Sequence, residues 1–430
     1  MRAQQVIEHG RSRGLEVTSR DGVTVWAGEA AGTRKPSGPL SGTRCGLLVA
    51  PEFSDFQAYY LVEYLSEFGA DVRFIGASGS YWKYTRPTDV AKGVQGMWGM
   101  SLNPIPVLGA ARCTYVELSE AVPADFDAVI VLGGHSADIL TTTDPALEFL
   151  SAADARGTLL GAIGEGSLPL MSQDLIRGRA CTGNRIVSYL LDRVGVYSDE
   201  PVVRDGTLLT ARDTEDCPAF VRELCRVYDP EFTDPYRGCL EQRRVAVVAG
   251  EDFEDIELVV PVLELLHRGA SVTLATFPAP KRARPPLLGL DVVMGNFGVS
   301  VPLQDIPDHR YAIRDLESVD PREIDLVMIP GAFCPWNMVE AGDPVRWLRR
   351  VHEAGRTIAA ICHGAVPLSS ADLVSGRQIA GVGACRDHVR IMGGNYRPEA
   401  SAIVDGGIVT GRVPADVPEF LDALSCALLG

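Results

Sequence analysis

The chain has 430 residues, of which 46% are hydrophobic and 22% charged, a composition typical of a globular protein with two domains. Forty basic and 56 acidic side chains give a formal charge of −16, which disfavours the basic surface that nucleic-acid binding requires. No apolar run reaches the roughly 18–20 residues of a membrane span. The N-terminal residues also lack the apolar core of a secretory signal. We therefore expect a cytoplasmic protein that binds neither nucleic acid nor membrane.

Four sequence blocks occur twice in the same order, which predicts a duplicated domain. The matching pairs are 44–77 with 244–277, 125–140 with 323–338, 157–179 with 356–377, and 202–225 with 402–426. Within each repeat, short apolar runs of the kind found in strands buried on both faces alternate with amphipathic helices. This alternation predicts an α/β fold with a mostly parallel sheet between two layers of helices.

The repeats set the expected domain boundaries. We predict an N-terminal extension at 1–43, a first domain at 44–229, a linker at 230–242 and a second domain at 243–430. Within the extension, the Gly/Pro/Ser-rich stretch 27–44 is expected to be loose or draped over the surface. Each repeat also contains a long Gly/Pro-rich excursion, at 78–116 and 278–312, of a length typical of lids and site walls. The first excursion is aromatic-rich, so a hydrophobic plug or domain contact is an equal alternative there.

One of the ten cysteines stands out from the others. The ten are isolated, with no C-x-x-C motif and no metal-ligand spacing to the seven histidines, so most are expected to be buried packing residues. Cys362 differs because IAAICHGAVPL (358–368) predicts a buried strand that turns sharply into a helix at about Gly364. Such a nucleophile elbow presents a side chain at the carboxyl edge of the sheet. The adjoining helix N-terminus is expected to stabilise a reactive thiolate.

A thiolate in this position needs a proton partner. GEDFEDIEL (250–258) follows the first strand of the same repeat, so its carboxylates are expected at the same edge of the sheet. Glu254 is the best candidate, because burial against a thiol would raise its pKa and allow proton exchange with a bound carbonyl compound. His363 follows the cysteine directly and is either an assisting group or a structural hydrogen-bonding residue.

The motifs AICHG, FEDIEL and VDGGIVTGRVPAD, in their order along the second repeat, resemble the DJ-1/PfpI superfamily. The likeness extends over both repeats, and the tandem arrangement resembles the plant two-domain proteins of glyoxalase III type. The resemblance implies flavodoxin-like domains, a nucleophile at Cys362, a protonatable Glu254 and an adjacent His363. It also implies that no metal or organic cofactor is used. The two repeats are expected to form an intramolecular pseudo-dimer, with further homo-oligomers possible.

The first repeat departs from this pattern at all three functional positions. Ser54 stands at the position of Glu254, and Gly164 and Glu165 stand at those of Cys362 and His363. A glycine has no nucleophile, so we expect this repeat to be catalytically inactive and to serve as a pseudo-dimer partner.

The loop after the third strand of the second repeat reads PGAFCPW (330–336), where many peptidase-like relatives have PGGRAPE. This difference disfavours a peptidase and suggests an apolar or aromatic substrate wall. We expect five residues to form the oxyanion pocket and this wall: Gly331, Ala332, Gly364, Phe333 and Trp336. A histidine that some relatives hold near the following strand has no clear counterpart, although GVGACRDH offers Cys385 and His388.

The leading hypothesis is an enzyme for a small carbonyl or electrophilic substrate, with glyoxalase III chemistry as its named form. A specialised biosynthetic hydratase, hydrolase or lyase is the alternative within the superfamily. A redox sensor or chaperone that uses Cys362 is the alternative from another class.

Overall fold

The computed structural model describes residues 3–27, 37–78, 94–102, 113–280 and 292–430. The chain folds as two compact units, Lys35–Thr233 and Asp234–Gly430, the latter together with Met1–Arg34. Parts of the predicted loose stretch and of both predicted excursions lie outside the described residues, namely 28–36, 79–93, 103–112 and 281–291. None of the described helices is long and apolar enough to cross a bilayer.

The N-terminal residues form a helix and a hairpin, which the sequence analysis did not predict. These elements are α1 (Ala3–Ser12), β1 (Glu16–Arg20) and β2 (Val23–Ala27). The hairpin pairs antiparallel with a strand of the second repeat, from Val23 opposite Asp405 to Ala27 opposite Ala400. Trp26 is completely buried in this unit, and Arg13 forms a buried ion pair with Asp422. The described residues 3–27 are thus an integral part of the second unit.

The first repeat contains a seven-stranded sheet with helices. Its elements in chain order are β3 (Arg44–Val49), α2 (Asp55–Glu67), β4 (Asp71–Gly76), β5 (Thr114–Glu117), β6 (Ala128–Val131), α3 (His135–Thr141), α4 (Asp144–Ala155), β7 (Leu159–Ile163), α5 (Ser167–Ser172), β8 (Ala180–Cys181), α6 (Ser188–Val194), β9 (Val196–Tyr197), β10 (Val202–Asp205), β11 (Leu208–Ala211) and α7 (Cys217–Tyr228). The strand order is β10-β11-β7-β6-β3-β4-β5, parallel except for the β10–β11 pair.

The second repeat builds the same pattern. Its elements are β12 (Arg244–Val248), α8 (Asp255–His267), β13 (Ser271–Thr276), β14 (Val293–Met294), β15 (Ser300–Val301), β16 (Tyr311–Asp315), β17 (Leu326–Ile329), α9 (Cys334–Ala341), α10 (Asp343–Glu353), β18 (Thr357–Ile361), α11 (Ala365–Ser370), β19 (Gln378–Ile379), α12 (Arg386–Ile391), β20 (Asn395–Tyr396), β21 (Ala400–Asp405), β22 (Ile408–Gly411) and α13 (Val417–Leu429). Its sheet has nine strands in the order β1-β2-β21-β22-β18-β17-β12-β13-β16, because the N-terminal hairpin extends the edge.

The predicted α/β fold with mostly parallel sheets is confirmed. The central strands carry apolar residues on both faces; β6, for example, is buried along its whole length, as is β17. The strands β12, β17 and β18 are parallel neighbours in the second sheet. Their carboxyl ends therefore meet at one edge, where the loops that follow them come together.

Candidate active site

The chain around Cys362 makes a strained turn at the end of β18. Cys362 has a φ of +58°, a conformation rarely adopted by residues other than glycine. It is the first residue of a 3₁₀ turn over Cys362–Gly364, and α11 follows this turn directly. A methyl group at Gly364 would lie 2.9 Å from Cβ of Ala360 and 3.1 Å from the carbonyl oxygen of Ile329. Only glycine therefore fits without displacing β17 or β18. The predicted elbow is present, and Gly364 packs beneath it against the sheet.

Glu257, a residue that the sequence analysis missed, lies against the Cys362 thiol. Its Oε2 accepts a 2.7 Å hydrogen bond from the backbone N–H of Gly331, while its Oε1 is buried without a hydrogen-bond partner among the described residues. A methyl group at Gly331 would lie 2.6 Å from Oε2 of Glu257 and 3.0 Å from Sγ of Cys362, so carboxyl and thiol share one small space. Burial, and next the charge of Glu254, raises the pKa of Glu257 well above its usual value. The raised pKa favours the protonated form of the Glu257 carboxyl.

Glu254 lies near this pair, one helical turn earlier. It is the N-cap residue of α8 but makes no side-chain capping bond, and its backbone N–H donates to the carbonyl oxygen of Gly331 at 3.3 Å. Burial, with a contribution from the charge of Asp255, raises the pKa of Glu254 to about 8. The charge of Glu254 acts on both Cys362 and Glu257. The raised pKa agrees with the expectation for this residue, but the carboxyl that interacts directly with the thiol is that of Glu257.

A signal for Glu257 was present in the sequence. Residues three apart lie on the same face of a helix, so FEDIEL brings Glu254 and Glu257 to the same side of α8. The intervening Asp255 has a different task. Its two carboxylate oxygens accept backbone N–H bonds from Phe297 and Val299 at 2.9 and 2.7 Å, which fix the loop 295–299 beside the site.

The expected low-pKa thiolate is contradicted in this resting arrangement. Burial raises the pKa of Cys362 well above its ordinary value, and Glu257 and Glu254 raise it further whenever they are ionised. The thiol is only 7% exposed. The sulfur does accept a hydrogen bond from the backbone N–H of His363, which favours the thiolate, but this contribution is smaller than that of burial. A thiolate in this site therefore requires that the neighbouring carboxyls be protonated and that a base take the thiol proton.

His363 is placed to take that proton. Its Nδ1 lies 3.5 Å from Sγ of Cys362. Burial, and next the charge of His388, lowers the pKa of His363, so the imidazole is neutral and can accept a proton. His388 in turn packs edge-on against the ring of Trp336, with the ring centres 5.4 Å apart. Cys385, from the same stretch, is buried, and its thiol donates to the carbonyl oxygen of Cys362 at 3.5 Å.

The loop after β17 forms the other side of the site. The prediction that Gly331 contributes to an oxyanion pocket is wrong for its N–H group, because Glu257 already accepts that hydrogen bond. Ala332 has a φ of +55° and forms a bridge with Phe253 after β12. Phe333 and Trp336 are 61% and 44% exposed, unusually high for large aromatic side chains. Their exposure agrees with the expectation of an aromatic wall, and their role in substrate binding stays a prediction.

The first repeat reproduces the backbone of this site without its chemistry. Gly164 occupies the elbow at a φ of +54°. Ser54 caps α2 by accepting a 3.3 Å bond from the backbone N–H of Gln57, and the Gln57 side chain accepts a 2.7 Å bond from the N–H of Gly133. Glu165, in the place of His363, accepts a 2.6 Å bond from the side chain of Asn184. No thiol is present at this elbow.

Among the residues that the structure describes, no group of three or more His, Cys, Asp or Glu side chains has the arrangement of a metal site. The groups assembled at the second elbow are instead a thiol, carboxyls and an imidazole. Such a set is suited to nucleophilic attack and proton transfer.

Comparison with known proteins yields matches to both repeats. The model of the DJ-1/PfpI family matches residues 43–227 and again residues 243–426. Protein DJ-1 homolog D of Arabidopsis thaliana is 26% identical over 315 residues, which are 71% of this chain and 78% of that protein. A putative cysteine protease of Bacillus subtilis, YraA, is 30% identical over 179 residues, 41% of this chain and 94% of the relative. A deglycase of Pyrococcus abyssi is 29% identical over 174 residues, 40% of this chain and 92% of the relative.

Proposed function

This chain belongs to the DJ-1/PfpI family, and from that premise we propose that its second repeat is a cysteine-dependent enzyme that converts a 2-oxoaldehyde and water to a 2-hydroxy acid. The observation that carries the proposal is the carboxyl of Glu257, which is held beside the Cys362 thiol and interacts with it directly. Relatives named deglycases support an enzyme of this family. No metal or organic cofactor takes part in the proposed steps.

The first steps form a covalent adduct. His363 takes the proton of the Cys362 thiol, and the thiolate attacks the aldehyde carbon, so that a carbon–sulfur bond forms while the carbonyl π pair moves to oxygen. The protonated Glu257 gives its proton to this oxygen, which yields a neutral hemithioacetal. Glu257 is now a carboxylate beside the former aldehyde carbon, where it can act as a base.

The next steps move hydrogen between the two carbons. Glu257 removes the proton from the former aldehyde carbon, which gives an enediolate whose negative charge lies on the second oxygen. It then returns the proton to the neighbouring carbon, while the hydroxyl proton of the enediolate passes to the second oxygen. The product is a thioester of the 2-hydroxy acid on Cys362. Water attacks this thioester, Glu257 takes a proton from the water, and the released thiolate recovers its proton from His363. All groups then regain their resting protonation states.

The decisive experiment is turnover of methylglyoxal by the purified full chain, with lactate measured by chiral chromatography. We expect lactate from the wild type and a loss of kcat/KM on the order of 10³-fold or more in Cys362→Ser. Cys239→Ser, which alters a partly buried cysteine outside the site, is the matched control and should retain activity. If the folded wild type forms no lactate, the glyoxalase reaction is wrong.

Reaction in D₂O tests the role given to Glu257. If one carboxyl carries the proton from one carbon to the next, it returns the same proton in a fraction of turnovers, before that proton exchanges with solvent. We therefore expect lactate with incomplete deuteration at C2, measured by mass spectrometry. Complete deuteration would mean that solvent, and not one enclosed carboxyl, supplies the proton.

The exposed aromatic side chains favour a second candidate within the same superfamily. Phe333 and Trp336 offer more apolar surface than methylglyoxal can cover, which supports a larger substrate and a specialised hydratase, hydrolase or lyase. We would compare phenylglyoxal with methylglyoxal, and then screen isonitriles and amides, each against Cys362→Ser. A preference for phenylglyoxal that disappears in Trp336→Ala would support the larger substrate. Equal kcat/KM values for both aldehydes would count against it.

A redox sensor or chaperone function is less well supported by the resting site. A sensor cysteine needs thiolate character and exposure, whereas Cys362 is 7% exposed and its pKa is raised. Intact-mass analysis after mild peroxide would test this alternative. Oxidation confined to Cys362, without turnover of any substrate in the panel, would favour sensing.

A further inference from the structure

A cleft rich in arginine lies on the second repeat, and none of the roles described above uses it. Its volume is about 790 Å³. Arg386 and Arg390 reach it from α12, and Arg397 follows β20. The remaining lining residues are Gln378, Gly383, Gly394, Asn395, Tyr396 and Pro398. The described lining therefore carries three positive charges and no acidic side chain, in a chain whose formal charge is −16.

The positive charges of the cleft are only partly balanced. Nε of Arg386 bonds to its exposed neighbour Asp387 at 3.0 Å, and Nε of Arg397 bonds to the exposed Glu399 at 2.5 Å. Arg390 is exposed and has no ion pair with any described side chain. Arg397 also donates to Oε1 of Gln378 at 2.8 Å. Exposed ion pairs contribute little free energy, so a stronger anionic ligand can replace these carboxylates as the partner of the guanidinium groups.

The first repeat shows that the fold itself does not need these arginines. The equivalent helix α6 begins at Ser188, and Ala180 pairs with Val196 just as Gln378 pairs with Asn395. Counting from the first residue of each helix places Ser188 and Asp192 at the positions of Arg386 and Arg390. Counting from the paired strands places Ser198 at the position of Arg397. None of the three arginines is thus retained in the first repeat, where Arg185 stands instead at the position of Gly383.

The cleft shares its framework with the Cys362 site. Tyr396 lines the cleft, and its hydroxyl donates to the carbonyl oxygen of Gly381 at 2.9 Å. Gly383, also in the lining, begins the 3₁₀ turn that ends at Cys385. The thiol of Cys385 donates to the carbonyl oxygen of Cys362 at 3.5 Å. One short segment, 381–385, therefore connects the lining of the cleft to the backbone of the elbow.

We propose that this cleft binds the anionic group of a small molecule, a carboxylate or a phosphate. Arginine suits both groups, because its planar guanidinium donates two parallel hydrogen bonds to a pair of anionic oxygens. The anion is carried either by the molecule that reacts at Cys362 or by a separate ligand. The site is defined by the same chemistry in either case.

Isothermal titration of the full chain with sodium phosphate, and separately with malonate, tests the proposal. Ionic strength is held constant so that general screening does not contribute. We expect binding to the wild type and a loss of affinity of about tenfold or more in Arg386→Ser/Arg390→Ser/Arg397→Ser, since each arginine contributes charge-assisted hydrogen bonds. Arg20→Ser/Arg237→Ser/Arg350→Ser removes the same charge from exposed positions outside the cleft, and this variant should bind as the wild type does.

Absence of phosphate and malonate binding to the wild type, or equal affinity in the two triple variants, would overturn the proposal. The titration does not depend on turnover, so it succeeds or fails independently of the proposed reaction. Whether the anion belongs to the reacting molecule or to a separate ligand is tested by alkylating Cys362 with neutral iodoacetamide, in the presence and absence of phosphate. Mass spectrometry measures the extent of alkylation. Protection by phosphate that is lost in the cleft variant assigns the anion to the reacting molecule. Binding without protection assigns it to a separate ligand.

Discussion

The two elbows of this chain have nearly the same backbone and different chemistry. The residue at the turn has a φ of +54° in Gly164 and +58° in Cys362. In each repeat a side chain from the first turn of a helix, α2 or α8, accepts a 2.7 Å hydrogen bond from the backbone N–H of a loop glycine. Gln57 accepts this bond from Gly133, and Glu257 accepts it from Gly331. The left-handed turn is therefore a property of the fold. What distinguishes the second repeat is a thiol, a proton-bearing carboxyl and an imidazole placed on that backbone.

The comparison also separates structural from chemical roles among the acidic residues. Asp55 and Asp255 each accept hydrogen bonds from two backbone N–H groups of a loop about 40 residues further along the chain. The aspartate at this position therefore has a structural role in both repeats. Glu257 differs from Gln57 in one respect, because a glutamine can hold the glycine N–H but cannot donate or accept the proton of a reaction. The change from glutamate to glutamine therefore removes the chemistry at that position and leaves the local hydrogen bond in place.

The largest expected effect comes from transferring the thiol to the first elbow. Gly164→Cys combined with Gln57→Glu, in a Cys362→Gly background, should create a site at position 164 that iodoacetamide alkylates and that mass spectrometry maps. We expect no 2-oxoaldehyde turnover, because Glu165 replaces the imidazole. The parent Cys362→Gly chain should show no label at position 164. Turnover by the transferred thiol would show that an imidazole beside the thiol is not required.

Glu257→Gln is expected to lower kcat by about 10²–10⁴-fold, the usual contribution of a positioned proton-transfer group. The free energy of unfolding should change little, because Gln57 makes the same bond in the first repeat. Glu254→Gln is the matched variant and should lower kcat by about tenfold or less, since Glu254 acts through its neighbours. Steady-state kinetics decide the order, and a larger loss in Glu254→Gln would restore that residue as the main proton carrier.

The raised pKa of Glu254, about 8 in the folded chain, predicts a pH-dependent stability. Between pH 5 and 8 the unfolded chain has lost this proton and the folded chain retains it, so the free energy of unfolding falls as pH rises through this window. In Glu254→Gln this slope should be flatter by about 1.4 kcal/mol per pH unit, the contribution of one proton.

Urea denaturation at a series of pH values measures that slope. Glu353→Gln, which alters an exposed carboxyl on α10, serves as the control and should keep the slope of the wild type. An unchanged slope in Glu254→Gln would mean that Glu254 ionises alike in the folded and unfolded chains.

The smallest expected effect concerns backbone strain at the elbow. Cys362→Gly and Cys362→Ala both remove the sulfur, but only glycine adopts a φ of +58° without a steric penalty. We therefore expect Cys362→Gly to be the more stable of the two by about 1 kcal/mol or less in urea denaturation. Greater stability of the alanine variant would indicate that the turn relaxes when the thiol is lost.

Much of the site could be predicted because its signals are local. The apolar run before Cys362 and the glycine after it specify a strand that turns into a helix, and the repeat confirms the pattern at Gly164. Which of Glu254 and Glu257 contacts the thiol could not be predicted from the local sequence. Both lie on one face of α8, and only the packing of that helix against the loop at Gly331 brings one of them to the thiol.

Other features were determined only by packing across distant parts of the chain. Residues 16–27 have no counterpart in the other repeat, and their place became clear only from the pairing of β2 with β21. The local sequence also could not predict the direction of the pKa shift at Cys362. The sequence shows the nearby helix that favours a thiolate. The burial that opposes it, and the carboxyls of Glu254 and Glu257 that oppose it when ionised, depend on packing against the start of α8, which is far away in sequence.

The amino-acid sequence by itself determined the duplication, the alternation of strands and helices within each repeat, the elbow, and the loss of the thiol from the first copy. These features depend on residue types and their spacing along the chain, which are read without coordinates. The tertiary structure decided which carboxyl shares a space with the thiol, which N–H groups are already bonded, and where the arginines of the second repeat gather. Those features depend on contacts between segments that are far apart in the chain, and on the removal of water that accompanies those contacts.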